Sequence, residues 1–422
     1  MGKNRLLSGR LLLGVVLLHC SAHAENASET VNAEKAPRVF IADSAVLPRV
    51  RALVQQDAEG DTPFADAYAR LCSDADAWLD TGPFSVMSKT GMPPSGDKHD
   101  YWSVGPYWWP DPESADGLPY IRRDGKVNPE YRQGVYDADA FLTCSRAVHE
   151  LALAAYFSGK KAYGEHGLRL LRTWFLDAET KMNPNMRYAQ AIPGRNDGRD
   201  VGVVEAESLR HLPDAIGMLT STGHWTEQDE AAMQQWCRAF LDWMLHSGAL
   251  KHYLAKGGHN NIAIGLDSLV IALALYTRQP DVAREQITRL SMERIANQIE
   301  ADGRMPQELA RTKAFGYSIK ALTSFFIVAR LAEHLDIDLW KYTTENGRSL
   351  RLALDFLLPF VYTPKDFNYE GPVDPQQMGR TVLPLAIRAW NDDSHRKAYT
   401  HLGDEVRFYH ERLMYPAFLL KR

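Results

Sequence analysis

The chain has 422 residues, 45% of them hydrophobic and 24% charged, with 29 glycines and 22 prolines. This composition excludes a disordered, collagen-like or multiply membrane-spanning protein and suffices for a sizeable core. A formal net charge of −5 excludes the broad basic surface that drives sequence-independent nucleic-acid binding, so an anionic ligand must be held by local positive charge.

Lys3, Arg5 and Arg10 precede the apolar run Leu11 to Leu18, and Ala22-His23-Ala24 places small residues where a signal peptidase cuts, so residues 1–24 read as an export signal. The run falls short of the ~20 apolar residues of a permanent span. The mature chain is therefore expected to begin near Glu25, without stable membrane insertion, in the periplasm or outside the cell. His19 stands where a lipoprotein signal centred on Cys20 would carry a small residue. Residues 25–45 are expected to form a polar leader and 46–422 a single domain. The remaining cysteines, Cys72, Cys144 and Cys237, are too few and too widely spaced for a disulfide framework or a cysteine zinc site; Cys144 and Cys237 fall inside helical patterns and read as small core residues.

From Val46 onward the apolar residues recur with a helical period in 46–57, 64–80, 141–157, 164–178, 203–220, 227–246, 261–277, 281–300, 318–334, 349–361 and 382–391. Successive helices joined by loops rich in Gly, Pro and Asn predict an all-α domain. Ile262 to Tyr276 is apolar nearly all round, broken by Asp267 and Ser268, which suits a central helix packed on several sides, as in the inner ring of a helical toroid. Two stretches depart from the pattern, Gly82 to Glu130 and Asn183 to Arg199, and loops of that length in a compact domain tend to be functional.

The first holds Tyr101-Trp102-Ser103-Val104-Gly105-Pro106-Tyr107-Trp108-Trp109-Pro110-Asp111-Pro112 and then Gly117-Leu118-Pro119-Tyr120-Ile121-Arg122-Arg123-Asp124-Gly125. Flat rings with polar edges suit sugar faces and guanidinium groups suit carboxylates, so Tyr107, Trp108, Trp109, Arg122 and Arg123 are candidate contacts for an acidic saccharide; the competing reading is a loop pinned to the helices by its tryptophans. The second supplies Tyr188, Gln190 and Arg195. His259-Asn260-Asn261 opens the central helix, where it offers either a base and amide donors or ordinary helix capping. In Glu308-Leu309-Ala310-Arg311 to Tyr317, an Arg that neutralises a carboxylate and a Tyr that moves a proton make a sensible pair for elimination. At 100° per residue the two stand about 600° apart, so sharing one face requires a break, which Gly316 permits.

These residues resemble the alginate lyase domain superfamily of polysaccharide lyases. The resemblance rests on the aromatic run and its Gly-Leu-Pro-Tyr-Ile-Arg-Arg-Asp-Gly sequel, on Tyr188-Ala-Gln-Ala-Ile-Pro-Gly-Arg195, and on Glu308-Leu-Ala-Arg311 with Tyr317, and it extends from about residue 50 to about 390. It implies an (α/α) toroid with a groove and cleavage of a uronate polymer by β-elimination. Asn261 and Arg311 would neutralise the substrate carboxylate, Asn260 would bind substrate, and Tyr317 would act as acid, base or both. The family pattern places a His directly after the Asn pair, where this chain has Ile262. The base is then His259, or Tyr317 performs both transfers, or the chain does not eliminate. The alternatives to a lyase are a toroid glycoside hydrolase using two of Asp200, Glu205 and Glu207, and a saccharide-binding protein without turnover. No metal or other cofactor is expected; an acidic polysaccharide or oligosaccharide is the expected partner.

Overall fold

The computed structural model describes residues 36–57, 60, 62–251, 253, 260–403 and 409–416. The export signal, most of the expected leader and His259 lie outside them. Residues from Lys35 onward form one compact unit.

Each predicted helical stretch contains helix. Leu47–Gln56, Ala65–Trp78, Ala138–Ser158 and Lys161–Leu171 open the domain. The stretch 203–220 divides into a 3-10 helix, Asp200–His211, and the α-helix Leu212–Ser221. The stretch 281–300 divides likewise, a π-turn at Gln286–Ser291 separating Pro280–Glu285 from Met292–Gln298. The short helix Asp393–His401 has no counterpart in the sequence reading, because its residues are mostly polar and it buries only His395 and Ala398.

Asn261–Tyr276 is the central helix expected: every residue but Ile262 is buried, and its main neighbours are Ala314–Ala332 and the 3-10 helix Asp200–His211. Asp267 survives inside because Arg294 holds it through two hydrogen bonds of 2.8 and 3.0 Å, while Ser291 and Gln286 donate at 2.9 and 2.8 Å. A buried charge so partnered escapes most of its desolvation cost. Ala314–Leu335 is long and apolar enough to cross a membrane, but 78% of the apolar window is buried inside the protein, which accounts for its composition.

The packed unit starts ahead of Val46. Val39 to Ala42 are buried, and the Asp214 carboxylate accepts the backbone N–H groups of Phe40, Ile41 and Ala42 at 2.6, 3.1 and 2.7 Å. Gly217 makes this possible, since a Cβ there would stand 1.9 Å from the Arg38 carbonyl oxygen. Cys72, Cys144 and Cys237 are free thiols, the last two buried.

The long aromatic stretch is anchored rather than loose. Strand β1, Trp102–Val104, pairs in parallel with β4, Tyr188–Ala191, which joins the two irregular stretches; β2, Trp108–Trp109, pairs antiparallel with β3, Ile121–Arg122. At its base the buried Lys89 ammonium donates to the carbonyls of Val86, Lys98 and Asp100 at 2.8, 2.7 and 3.0 Å and pairs with Asp137 at 2.9 Å. Lys89→Met would strand the Asp137 carboxylate in a dry site, and a loss of ~3–5 kcal/mol is expected, read as a lower denaturant midpoint. A midpoint within experimental error of the parent would remove this pin from the account.

Three histidines meet between separate elements. The His149 ring lies 5.5 Å from those of His211 and His410, the latter on Tyr409–Met414. Burial pushes His149 down to about 4 and the other two well below the ordinary histidine range. An unfolded chain takes these protons near pH 6.5, so stability present above that pH is lost as pH falls toward 4, by ~3 kcal/mol for His149 alone. Asp137 and Glu411, raised by burial to about 6 and about 7, act in the opposite sense. The readout is therefore a difference: Tm should fall more steeply between pH 7 and pH 4.5 in the parent than in His149→Gln, and parallel profiles would refute the assignment.

Candidate active site

Pro306–Leu309 ends at Ala310, a turn follows, and a new helix starts at Ala314. The break that brings Arg311 and Tyr317 together thus lies at Ala310 to Lys313. Gly316, where the sequence permitted it, sits inside the second helix, because the N–H of Tyr317 already finds the Lys313 carbonyl at 3.0 Å. Arg311 Nη2 donates to the Tyr317 hydroxyl at 2.9 Å, and its guanidinium carbon lies 3.9 Å from the centre of that ring.

The Tyr107 hydroxyl approaches that of Tyr317 at 3.5 Å, arriving from the aromatic stretch. Burial first, and then this contact, raise the Tyr107 phenol above its ordinary value, so it stays protonated, and either hydroxyl can donate across the contact. The Tyr317 oxygen thus accepts from a guanidinium and lies beside a phenol able to donate to it, which suits an oxygen that must carry negative charge.

Asn261 is buried at the first turn of the central helix, where its backbone N–H and its Nδ2 both donate to Glu308, each at 2.6 Å. Burial raises the Glu308 carboxyl. One amide proton of Asn261 is spent on Glu308, leaving the other for a ligand. Glu308 was legible only as a helix neighbour of Arg311; its bond to Asn261 spans 47 residues and has no sequence signature. Asn260 caps the helix, one of the two readings the sequence left open: its side-chain oxygen accepts from Ile262 and Ala263 N–H at 3.1 and 3.3 Å. Ile262 packs against the core.

Trp108 is flanked by two guanidinium groups, Arg195 at 5.4 Å and Arg199 at 5.9 Å from its ring centre, and Trp109 carries Arg123 at 5.4 Å. Arg195 also donates to the Tyr120 carbonyl at 3.1 Å. Arg122 stands opposite Trp108 in the β2–β3 register and pairs with Asp124 at 2.6 Å, with an exposed side chain. Tyr188 is half-buried at the start of β4. Gln190 is buried with φ of 51°, a left-handed conformation costly for a residue with a Cβ. Its carbonyl and its Oε1 accept from Arg199 at 2.9 and 2.6 Å, so it orients an arginine rather than facing a ligand by itself. Arg199 was passed over in the sequence, although it closes the segment that contains Gln190 and Arg195.

Among the described residues, Arg123, Arg195, Arg199, Arg311 and Lys313 make no ion pair with a carboxylate. Three of these cations, Arg123, Arg195 and Arg199, lie against the tryptophans of the aromatic stretch. Two of the three carboxylates considered for a hydrolase, Glu205 and Glu207, are committed elsewhere, whereas Asp200 lines a separate cleft. Tyr101 and Ser103 both donate to the buried Glu205 at 2.7 Å, and Glu207 lies between Arg210 at 2.8 Å and Lys320 at 3.1 Å. Among the described residues no group of three or more His, Cys, Asp or Glu has metal-binding geometry.

A family model described as alginate lyase matches residues 85–367. An alginate lyase from Bacteroides ovatus, solved at 1.60 Å, is 34% identical, with 90% of this chain and 99% of that chain covered and a TM-score of 0.81. The chain belongs to the alginate lyase family. As a family member it is a polysaccharide lyase with the mostly helical (α/α) toroid fold. Alginate lyase A1-III from Sphingomonas species A1, at 15% identity and a TM-score of 0.51 over 86% of this chain and 98% of that chain, shares the fold. So does a variant of A1-III complexed with tetrasaccharide, at 16% identity and 0.52 over 87% and 93%. Among curated proteins none matches.

Proposed function

We propose that this alginate lyase family member is exported and cleaves a uronate-containing polysaccharide, such as alginate, glucuronan or a related polymer, by β-elimination centred on Tyr317. The observation that carries the reading is the Arg311–Tyr317 pair: a guanidinium without a carboxylate partner, stacked on a phenol and bonded to its oxygen, beneath the Tyr107 hydroxyl. Solved alginate lyases of this fold, one complexed with tetrasaccharide, support an acidic saccharide as substrate.

The C5 proton of a uronate is weakly acidic until the adjacent carboxylate is neutralised. Arg311 and the free amide proton of Asn261 supply that neutralisation, and Glu308 holds the amide in place. Tyr317, with its oxygen deprotonated, takes the C5 proton. The electron pair released forms the C4–C5 double bond as the C4–O4 bond breaks, and the same phenol returns the proton to O4. Arg311 and Tyr107 hold the phenol oxygen through both transfers. The groove cations take the carboxylates of neighbouring sugars, and Trp108 and Trp109 pack against sugar faces.

The test is to incubate the mature protein with a panel of polyuronates and follow near-ultraviolet absorbance, which rises only when elimination creates an unsaturated uronate. A rise with one polymer is the expected result. Release of reducing ends without absorbance would overturn the reading in favour of hydrolysis.

A further inference from the structure

Arg199 has a second side. Besides flanking Trp108, it lines an open cleft of about 190 Å³ together with Arg187, Asp200, Trp243 and Ser247. The cleft is built by close backbone approach: a Cβ on Gly198 would stand 2.1 Å from the Arg187 carbonyl oxygen, so only glycine lets the segments carrying Arg187 and Arg199 lie together. Trp243 is half-buried, leaning on Phe240 at a ring distance of 5.6 Å while lining the cleft. Neither Arg187 nor Arg199 has a carboxylate partner among the described residues, and Arg199 is aimed by the strained Gln190. Burial lowers the Arg199 guanidinium from its ordinary value, and the nearby Glu205 carboxyl offsets this only in part.

A short relay of packed residues links Arg199 to the reaction centre. A Cβ on Gly105 would stand 3.1 Å from Arg199 Nη2 and 2.6 Å from the Trp108 ring, so the chain closes tightly around that guanidinium. Trp108 adjoins Tyr107, whose hydroxyl meets Tyr317.

We infer that this cleft is a remote subsite for an acidic sugar of the same polymer, in which Arg199 and Arg187 hold one uronate carboxylate and Trp243 packs on its ring. The inference rests on the proposed polyuronate reading and deepens it. Asp200 and Ser247 lie where they can accept from and donate to sugar hydroxyls; two cations outweigh the single carboxylate. The consequence is a dependence on chain length, because an oligomer long enough to reach the cleft gains two charge-assisted contacts that a disaccharide at the reaction centre does not.

The experiment measures binding of saturated oligouronates of two to six units by calorimetry, in Tyr317→Phe protein so that the ligand survives, with Arg187→Glu and Arg199→Gln added singly. Arg187 is exposed, so its replacement tests the cleft without disturbing the core. The expected result is that the hexamer-to-dimer affinity ratio falls about tenfold in each variant and that its salt dependence weakens. An unchanged ratio in Arg187→Glu and Arg199→Gln, with elimination intact in the native protein, would overturn the subsite and leave the lyase reading standing. A native protein that neither eliminates nor binds any polyuronate would overturn that reading, and the subsite with it.

Discussion

Tyr317→Phe is expected to slow elimination by about 10³-fold or more while leaving oligouronate binding measurable, because it deletes the one oxygen on which Arg311 and Tyr107 converge. The ring, its stacking under Arg311 and its packing are all retained, so a lost rate reports the hydroxyl and not the fold. Single-turnover absorbance at saturating polymer is the measurement, and activity within tenfold of the parent would remove Tyr317 from the chemistry. His259→Ala completes the test. If Tyr317 makes both transfers, that replacement costs little; a loss comparable to that of Tyr317→Phe would mean that the proton is shared with the imidazole of His259.

For Arg311→Ala the expected loss in kcat is about 10²–10³-fold, since in the proposed mechanism the guanidinium both neutralises the uronate carboxylate and stabilises charge on the Tyr317 oxygen. The fall should lie mainly in kcat, because the polymer contacts proposed for Arg123, Arg195 and Arg199 are untouched. Arg311→Lys should recover only part of it. A lysine keeps the charge, but it lacks the planar fork that lies 3.9 Å from the tyrosine ring centre while donating to its hydroxyl. Full activity in Arg311→Lys would show that charge alone suffices. A change confined to KM would place Arg311 in polymer binding and leave the neutralising role to Asn261.

Parts of this site were readable from local pattern. Asn260 at the start of an apolar helix reads as a cap, and it caps. The requirement for a break between Arg311 and Tyr317 follows from helix geometry, but its position does not: Ala310 to Lys313 leave helical geometry there, and the partner that holds Ala314 is the Glu370 carbonyl, far along the chain. Arg122 and Arg123 are indistinguishable in sequence. One is neutralised by Asp124 two residues on, whereas the other lies over Trp109.

The chain's own order of residues determined the helices, the central apolar segment, the two irregular stretches and the types of group gathered for an acidic sugar, because period, capping and composition are local properties. Tertiary structure alone decided which cations lack a carboxylate, that Gln190 aims Arg199, that Glu308 holds Asn261, and that Tyr107 meets Tyr317 across 210 residues of chain. Ion pairing and hydrogen bonding are settled by whichever group arrives within about 3 Å in the folded state, and no periodicity encodes that arrival.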